Sequence, residues 1–479
     1  MYKASAPRQS SFDDFNQSCG MRLDPANDWC RLASRIPWRN WEARYAALFP
    51  SRRGRPAIPL RIALGALLVQ KRLGLGDRPL VRAIAENPCL QYFLGLPAFS
   101  SKAPFRPSVL VSFRKRLSAG FLQTVNEDIL ADAPPTPAHL PNQRGRKRAN
   151  PATLIPAATC SPDEIRPPHD TTLLEEARLG TERLVDDLHR QFPGEGHRPR
   201  TYRRVMRKAY LKFSRARKRP SGAAKELCGK LLGALRRNLA FIDSYLSKGG
   251  RLDGRATALL ETIRQVHAQQ KEMHGTGKSV PHRIVSLAKP WVRPIVRGKV
   301  RTPVEFGPKY EVSLDENGHA RLEKLGFEAY NECHSLQGAV QRYRDRCGKW
   351  PQRVLADRIY RTEENRRWCE ERGIKLSGRA PSKTPATRAE RKAERKEDAD
   401  RNEVERFFSR GKRVCGAGLL RLRLEESTLA AVALSVLAAN VFGIRWDVFF
   451  VFWLQDDPEA LPGTQKTPAE LVELLPPIA

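Results

Sequence analysis

From Val304 to Leu314 the apolar residues abandon the helical spacing of the preceding segment and alternate, and the alternation ends at Asp315-Glu316-Asn317-Gly318. A period of two suits a strand, and an Asn-Gly pair favours a tight hairpin turn. Val304-Glu305-Phe306 and Tyr310, Val312, Leu314 therefore predict two strands and a hairpin turn. Thr153 to Ala157, Arg353 to Ala356 and Ile374-Lys375-Leu376 predict further short strands. Helical segments fall through Ala339 and Tyr343, and from a cap at Thr362 to Glu371. A long helix-period stretch, 223–273, separates the first strand from the rest. That order specifies a mixed sheet flanked by helices, with a helical insertion behind its first strand.

Ahead of this α/β region, residues 1–130 read as all-helical. Trp29, Trp38 and Trp41 are available for packing, and Ile58, Leu60, Ile62, Leu64, Leu67, Leu68 and Leu73 form a dense apolar stretch that ends at Gly74-Leu75-Gly76-Asp77. A helix starting at Pro107-Ser108 carries Arg114, Lys115 and Arg116. The segment is similar to a helix-turn-helix DNA-binding module; a helical packing domain with a solvated basic edge is the alternative. Residues 131–151 are Pro-rich and then basic, the composition of a linker. The sheet domain is expected over 152–455, with a basic insertion at about 191–298, and a tail over 456–479. The charged run 379–400 predicts a mobile bridge.

The 479 residues carry 85 Lys+Arg against 52 Asp+Glu, a formal charge of +33, which favours a polyanionic partner through counterion release. Positive charge is densest over 198–219. There Tyr202, Val205, Met206, Tyr210 and Phe213 recur at helical spacing, and Arg203, Arg204, Arg207 and Lys208 cover the remaining surface. A phosphate-contacting helix is expected, with a solvated helix face as the bland alternative. The nine cysteines are scattered with no Cys-x-x-Cys pair, which argues for a reducing compartment and against a structural zinc site. The first residues hold no apolar signal core, and the longest uncharged run, Thr428 to Gly443, is too short to span a bilayer comfortably. A buried helix in a soluble, cytoplasmic protein is the expectation.

Two carboxylates stand out in this basic chain. Asp357 closes the apolar run Val354-Leu355-Ala356, where mixed sheets open their ligand crevices, and Glu405 lies in a helical segment with Lys412 beyond it. At 100° per residue, Arg401, Glu405 and Lys412 fall at about 0°, 40° and 20°, on one helix face. Val404, Phe407 and Phe408 lie on another face and would anchor the helix. Acids at a strand end and on a neighbouring helix, with cations beside them, suit metal-dependent cutting of a phosphodiester.

The stretch ADRIYRTEENRRWCEERGIKLSG around Asp357 resembles the second-aspartate block of bacterial insertion-sequence transposases of the group founded on insertion sequence five. DRNEVERFFSRGKRVCGAGLLRLRLEESTLAAVALSVLAANV resembles their glutamate block, and GRPAIPLRIALGALLVQKRLGLGDRPLVRAIAENPCLQYFLGL their helical N-terminal domain. This resemblance implies a ribonuclease-H-like catalytic domain with a DDE triad and two Mg²⁺ or Mn²⁺ ions. It implies cleavage at the element's terminal inverted repeats and transfer to target DNA, by a homodimer on double-stranded DNA near the bacterial nucleoid. Asp357 would be the second aspartate and Glu405 the glutamate, both metal ligands, with Arg401 and Lys412 as phosphate contacts.

The chain departs from that pattern at Asp398, where the wider signature often has Tyr, and more tellingly in the first strand. Relatives read Asp-Ala-Thr before the residues that match Ile165-Arg166 and Pro168-His169-Asp170, which puts the first aspartate at Ala157. A methyl group ligates no cation, and Pro156 removes a ladder hydrogen bond from a strand expected to be central. Asp163 and Asp170 are the nearest candidate substitutes. Two readings follow: a transposase with impaired cleavage, or a catalytically defective DNA-binding relative.

Overall fold

The computed structural model describes residues 15, 23–50, 56–131, 133, 152–194, 196–218, 220, 222–296, 304–378, 385 and 387–443. The linker expected at 131–151 and the tail at 456–479 lie almost wholly outside the described residues. Among the described residues seven α-helices come first: α1 (Asp28–Arg35), α2 (Glu42–Ala47), α3 (Leu60–Leu73), α4 (Asp77–Glu86), α5 (Pro88–Phe93), α6 (Val109–Arg116) and α7 (Ala119–Ala131). Gly74, at φ +64°, ends α3 in the left-handed conformation, as the glycine break predicts. Then follow β1 (Thr153–Cys160), α8 (Asp170–His189), α9 (Arg203–Arg215), α10 (Ala223–Ser247) and α11 (Gly254–Thr276). The chain continues through β2 (Pro294–Val296), β3 (Val304–Phe306), β4 (Lys309–Leu314), β5 (Ala320–Gly326) and α12 (Leu336–Cys347). It closes with β6 (Arg353–Val354), α13 (Glu363–Glu370), β7 (Lys375–Leu376), α14 (Arg388–Arg413) and α15 (Glu425–Val441).

The main sheet has the order β5-β4-β1-β6-β7. β4 and β5 run antiparallel to each other, β4 antiparallel to the central β1, and β6 and β7 parallel to it. With helices on both faces this is a ribonuclease-H-like fold carrying a helical insertion and preceded by helices. The hairpin turn forms as the sequence predicts, with Gly318 N donating to Asp315 O at 2.9 Å. The strand at Val304–Phe306 also forms, but it pairs with β2 in a separate two-stranded ribbon.

Pro156 occupies the central strand without breaking it, and the ladder's parity shows how. Ser161 N donates to Pro308 O at 3.1 Å, so odd-numbered residues of β1 bond to β4 and even-numbered ones face β6. The β6 ladder reaches only Leu154, whose carbonyl accepts from Leu355 N at 2.9 Å. The proline's missing N–H thus falls where the parallel pairing stops.

One face of the sheet and the N-terminal helices share a core. Ile155, Ala157, Tyr310 and Val312 join Val404, Phe407 and Phe408 of α14, the apolar face of α15 and the buried residues of α3 to α7. Asn126 on α7 and Asn440 on α15 pin β5 to this core. Asn126 Nδ2 donates to Ala320 O at 3.0 Å, and Ala320 N donates to Asn440 Oδ1 at 2.9 Å. Helices α8 to α11 have their own core, built on Leu174, Leu231, Leu235, Ile242 and Ile263, so α8 packs with the helices of the insertion expected at about 191–298 although it precedes that range.

The expected mobile bridge at 379–400 is corrected. From Arg388 onward it is the first half of the 26-residue α14, opened by Thr387 and Glu390 as a reciprocal capping box. Charged side chains fasten this half to the sheet. Glu397 accepts from Gly378 N and pairs with Lys375, both at 2.9 Å, and Asp400 pairs with Arg353 at 3.1 Å.

On the opposite sheet face Glu311 is wholly buried, with Tyr360 Oη donating to its Oε1 at 3.2 Å and its Oε2 without a partner among the described residues. Burial pushes this carboxyl up to about 6, against the hydrogen bonds from Ser335 and Tyr360. A carboxyl raised above its unfolded value of 4.5 gives stability that is fully present below 4.5 and lost as pH rises through about 6. Glu311→Gln should remove that slope and stabilise the fold at pH 7.5 by about 2 kcal/mol. Urea titrations at pH 4.5 and 7.5 check this; an unchanged pH dependence would count against it.

Candidate functional site

β1 and α14 meet where the sequence places the chemistry. Ala157 lies on the β1 face that also carries Ile155 and Thr159, against Val404, Phe407 and Phe408. Lys412 Nζ donates to Thr159 Oγ1 at 3.0 Å, tying the end of α14 to the end of β1. The rings of Phe408 and Tyr310 meet edge to face, their centroids 5.8 Å apart, and fix the helix over the β1–β4 pair.

Thr153 pairs with Arg353 and Leu154 with Val354, and the pairing ends there, three residues short of Ala157 and Asp357, which share the same offset. Asp357 is exposed just beyond β6 and caps a short turn, its Oδ1 accepting from Arg358 N at 2.7 Å. Glu405 is exposed on α14, 3.8 Å from Arg401 Nη1. The Arg401 Nε is buried and has no acceptor among the described residues.

The residues at this place do not fit a two-ion centre. The β1 position at the same offset from Asp357 carries a methyl group, and among the described residues no three His, Cys, Asp or Glu side chains gather to hold a metal ion. The two expected substitutes are engaged elsewhere. Asp163 has a wholly buried side chain that pairs with Lys289 Nζ at 2.5 Å. Asp170 opens α8 in the insertion, where it accepts from Gln270 Nε2 at 2.8 Å and pairs with Arg283. Neither completes a three-carboxylate set with Asp357 and Glu405.

The cations expected on DNA divide into two groups. Arg114 is spent on Asp77, with Nη1–Oδ1 at 2.9 Å and Nη2–Oδ2 at 2.7 Å, and Arg116 lies over the Phe49 ring at 4.7 Å. Arg203 is held by Asp186 at 2.9 Å. Lys115, Arg204, Arg207 and Lys208 are the second group, with side chains that reach solvent. Val205 and Tyr202 are exposed too, so the apolar stripe read from the sequence buries Met206 but not those two.

The sequence gives no local sign of Lys71. From α3 its Nζ donates to Ser435 Oγ at 2.9 Å and to Gly416 O at 3.4 Å, joining the N-terminal helices to the loop that follows Lys412. Burial pulls its ammonium down to about 8. Its partners lie more than three hundred positions away, beyond the reach of any short motif.

A family model described as a transposase domain (DUF772) matches residues 17–116, and one described as a transposase DDE domain matches residues 354–441. The chain carries the domain architecture of a DDE-type transposase. The second match takes in Asp357, Glu405 and Lys412 in one block, and the first covers α1 to α6. DDE-type domains act on DNA with metal ions in general, so DNA is the substrate class that this architecture implies. No curated protein and no solved structure matches the chain. Among the described residues no helix is long and apolar enough to cross a membrane.

Proposed function

We propose that this chain is a DDE-type transposase that binds insertion-sequence ends and whose strand-cleaving centre is impaired because it lacks its first carboxylate. The observation that carries the reading is the junction of β1 and α14. Lys412 is bonded to Thr159, the Ala157 methyl lies two residues away on the same face, and Asp357 follows the strand that pairs with the start of β1. What remains there is suited to holding DNA: Arg401 and Lys412 are cations for the phosphates, and Asp357 and Glu405 retain the second and third acids of the triad. The solvent-facing Arg204, Arg207 and Lys208 on α9 give a second contact with the backbone. Two copies acting at two inverted ends, close to the nucleoid, complete the proposal.

The DNA-binding half is tested by salt. Duplexes taken from the DNA flanking the coding sequence should bind with an affinity that falls linearly in log[salt]. Replacing Arg204, Arg207 and Lys208 with Gln should lower that slope by roughly three, about 0.9 for each phosphate no longer neutralised. An unchanged slope would remove α9 from the interface, and no binding near physiological salt would end the proposal.

A further inference from the structure

The loop after α14 is tied to a distant part of the chain. Val414 N donates to Arg410 O at 2.8 Å and Ala417 N to Gly411 O at 3.0 Å, so residues 414–418 fold back on the turn that holds Lys412. A Cβ on Gly418 would stand 2.6 Å from Lys412 O, so closely does the loop cover that residue. Further on, Leu420 N donates to Pro162 O at 2.8 Å and Glu164 N to Leu420 O at 2.9 Å, just past the end of β1. The segment is thus fastened at one end to α14 and at the other to the residues that follow β1.

Its middle is held from α3. Lys71 Nζ donates to Ser435 Oγ at 2.9 Å and to Gly416 O at 3.4 Å. Ser435 Oγ gives its own hydrogen to Ala431 O at 2.7 Å, which leaves its lone pairs for Lys71. Gly416 has φ +70°, and a Cβ there would meet Lys71 Cδ at 3.2 Å and Nζ at 3.3 Å, so the lysine stem runs against the loop backbone. Both of these acceptors are neutral. Burial, with the Arg114 charge acting in the same direction, holds the ammonium well below the usual lysine range. An apolar side chain of similar length would avoid that cost and still pack between α3 and α15. A charge retained at the expense of stability is expected where it serves activity. We infer that Lys71 is a positioning residue for the β1–α14 junction: by fixing residues 414–418 it sets where Lys412 stands, and so couples the N-terminal helices to the phosphate contact proposed for Lys412. The inference rests on the DNA-binding reading above and adds to it a residue from outside the sheet region.

The test uses the full chain with Lys71→Met, Lys412→Met and the double variant. Without DNA, brief acetylation by an N-hydroxysuccinimide ester, read by mass spectrometry, should label Lys412 severalfold faster in Lys71→Met than in the wild type. The exposed Lys208 serves as the internal reference and should not change. Lys71→Met should melt no lower than the wild type at pH 7. With flanking-DNA duplexes at 0.1 M salt, each single variant should weaken binding roughly eightfold, the worth of one released counterion, and the double variant should weaken it no further. Multiplying losses in the double variant would mean that Lys71 and Lys412 act separately, and would overturn the inference. So would unchanged labelling of Lys412, or a Lys71→Met variant that melts well below the wild type and labels faster at every lysine, the mark of a structural role alone. Each of these outcomes leaves the DNA reading standing. Absence of duplex binding by the wild type overturns that reading, and Lys412 labelling, which needs no DNA, still decides whether Lys71 sets its place.

Discussion

Ala157→Asp should raise Mg²⁺-dependent nicking of duplex DNA on the order of a hundredfold and make the melting temperature depend on Mg²⁺. The position is 6% exposed, between Val312 on β4 and the apolar residues of α14, and at the β1–β6 offset from Asp357. A carboxylate there without a cation is a buried charge, which costs about 1–3 kcal/mol even with partial hydrogen bonding. The variant should therefore melt below the wild type in chelator. Addition of Mg²⁺ should close that gap, because a cation shared with Asp357 and Glu405 neutralises the new charge. The wild type, with no acid at 157, should melt at the same temperature with and without Mg²⁺. These two measurements separate causes: nicking reports the whole centre, and melting reports whether the cation binds at all. Equal nicking by wild type and variant would show that Ala157 is not the defect. A variant that gains Mg²⁺-dependent stability but no nicking would place a second lesion elsewhere in the chain.

The sheet is legible in the sequence because its signals are local. Alternation at Tyr310, Val312 and Leu314, the Asn317-Gly318 turn and the Thr362 cap each involve a few neighbouring residues, and all form as expected. The first half of α14 is hidden because its composition resembles a solvated linker. What holds it is a set of ion pairs to Lys375, Arg353 and Arg361, none readable from a short stretch of neighbours. The same limit explains the cations proposed to contact DNA. Arg114 and Lys115 are adjacent and look equivalent, yet Arg114 is neutralised by Asp77, 37 positions back, while Lys115 is exposed. Charge density locates a basic surface; only the fold shows which of its charges are already paired. The gap at Ala157 is a third kind of case. Periodicity sees an ordinary buried strand residue there, and the role proposed for it depends on carrying the β1–β6 offset past Leu154, where the pairing ends.

Arg178→Met should destabilise the insertion by about 3–5 kcal/mol, because it leaves two carboxylates buried without their cation. Arg178 has no exposed surface, and its guanidinium donates to both oxygens of Glu175, Nε–Oε2 at 2.8 Å and Nη2–Oε1 at 2.6 Å, and also to Glu182. Burial alone would lower the guanidinium's proton affinity, but the two carboxylates more than reverse this and keep it charged. The triad sits at mid-helix in α8. The same stretch is fixed to α10 by Asn238 Nδ2 donating to Thr181 Oγ1 at 3.0 Å. Loss of the cation therefore acts on the α8–α10 packing that supports the basic α9. Replacing all three, Glu175→Leu with Arg178→Met and Glu182→Leu, removes the unpaired charges and should restore most of the loss, since a buried ion triad and apolar residues of similar volume are often close in stability. Limited proteolysis of the 170–276 region and urea unfolding would measure both variants. If the single substitution costs less than about 1 kcal/mol, or the triple costs as much as the single, the triad is not what holds α8 in place. With the expected values, the single variant should also lose the α9 contribution to the salt slope, and the triple should keep it. That would tie the buried triad to the DNA-facing surface through the packing of the insertion rather than through any charge of its own.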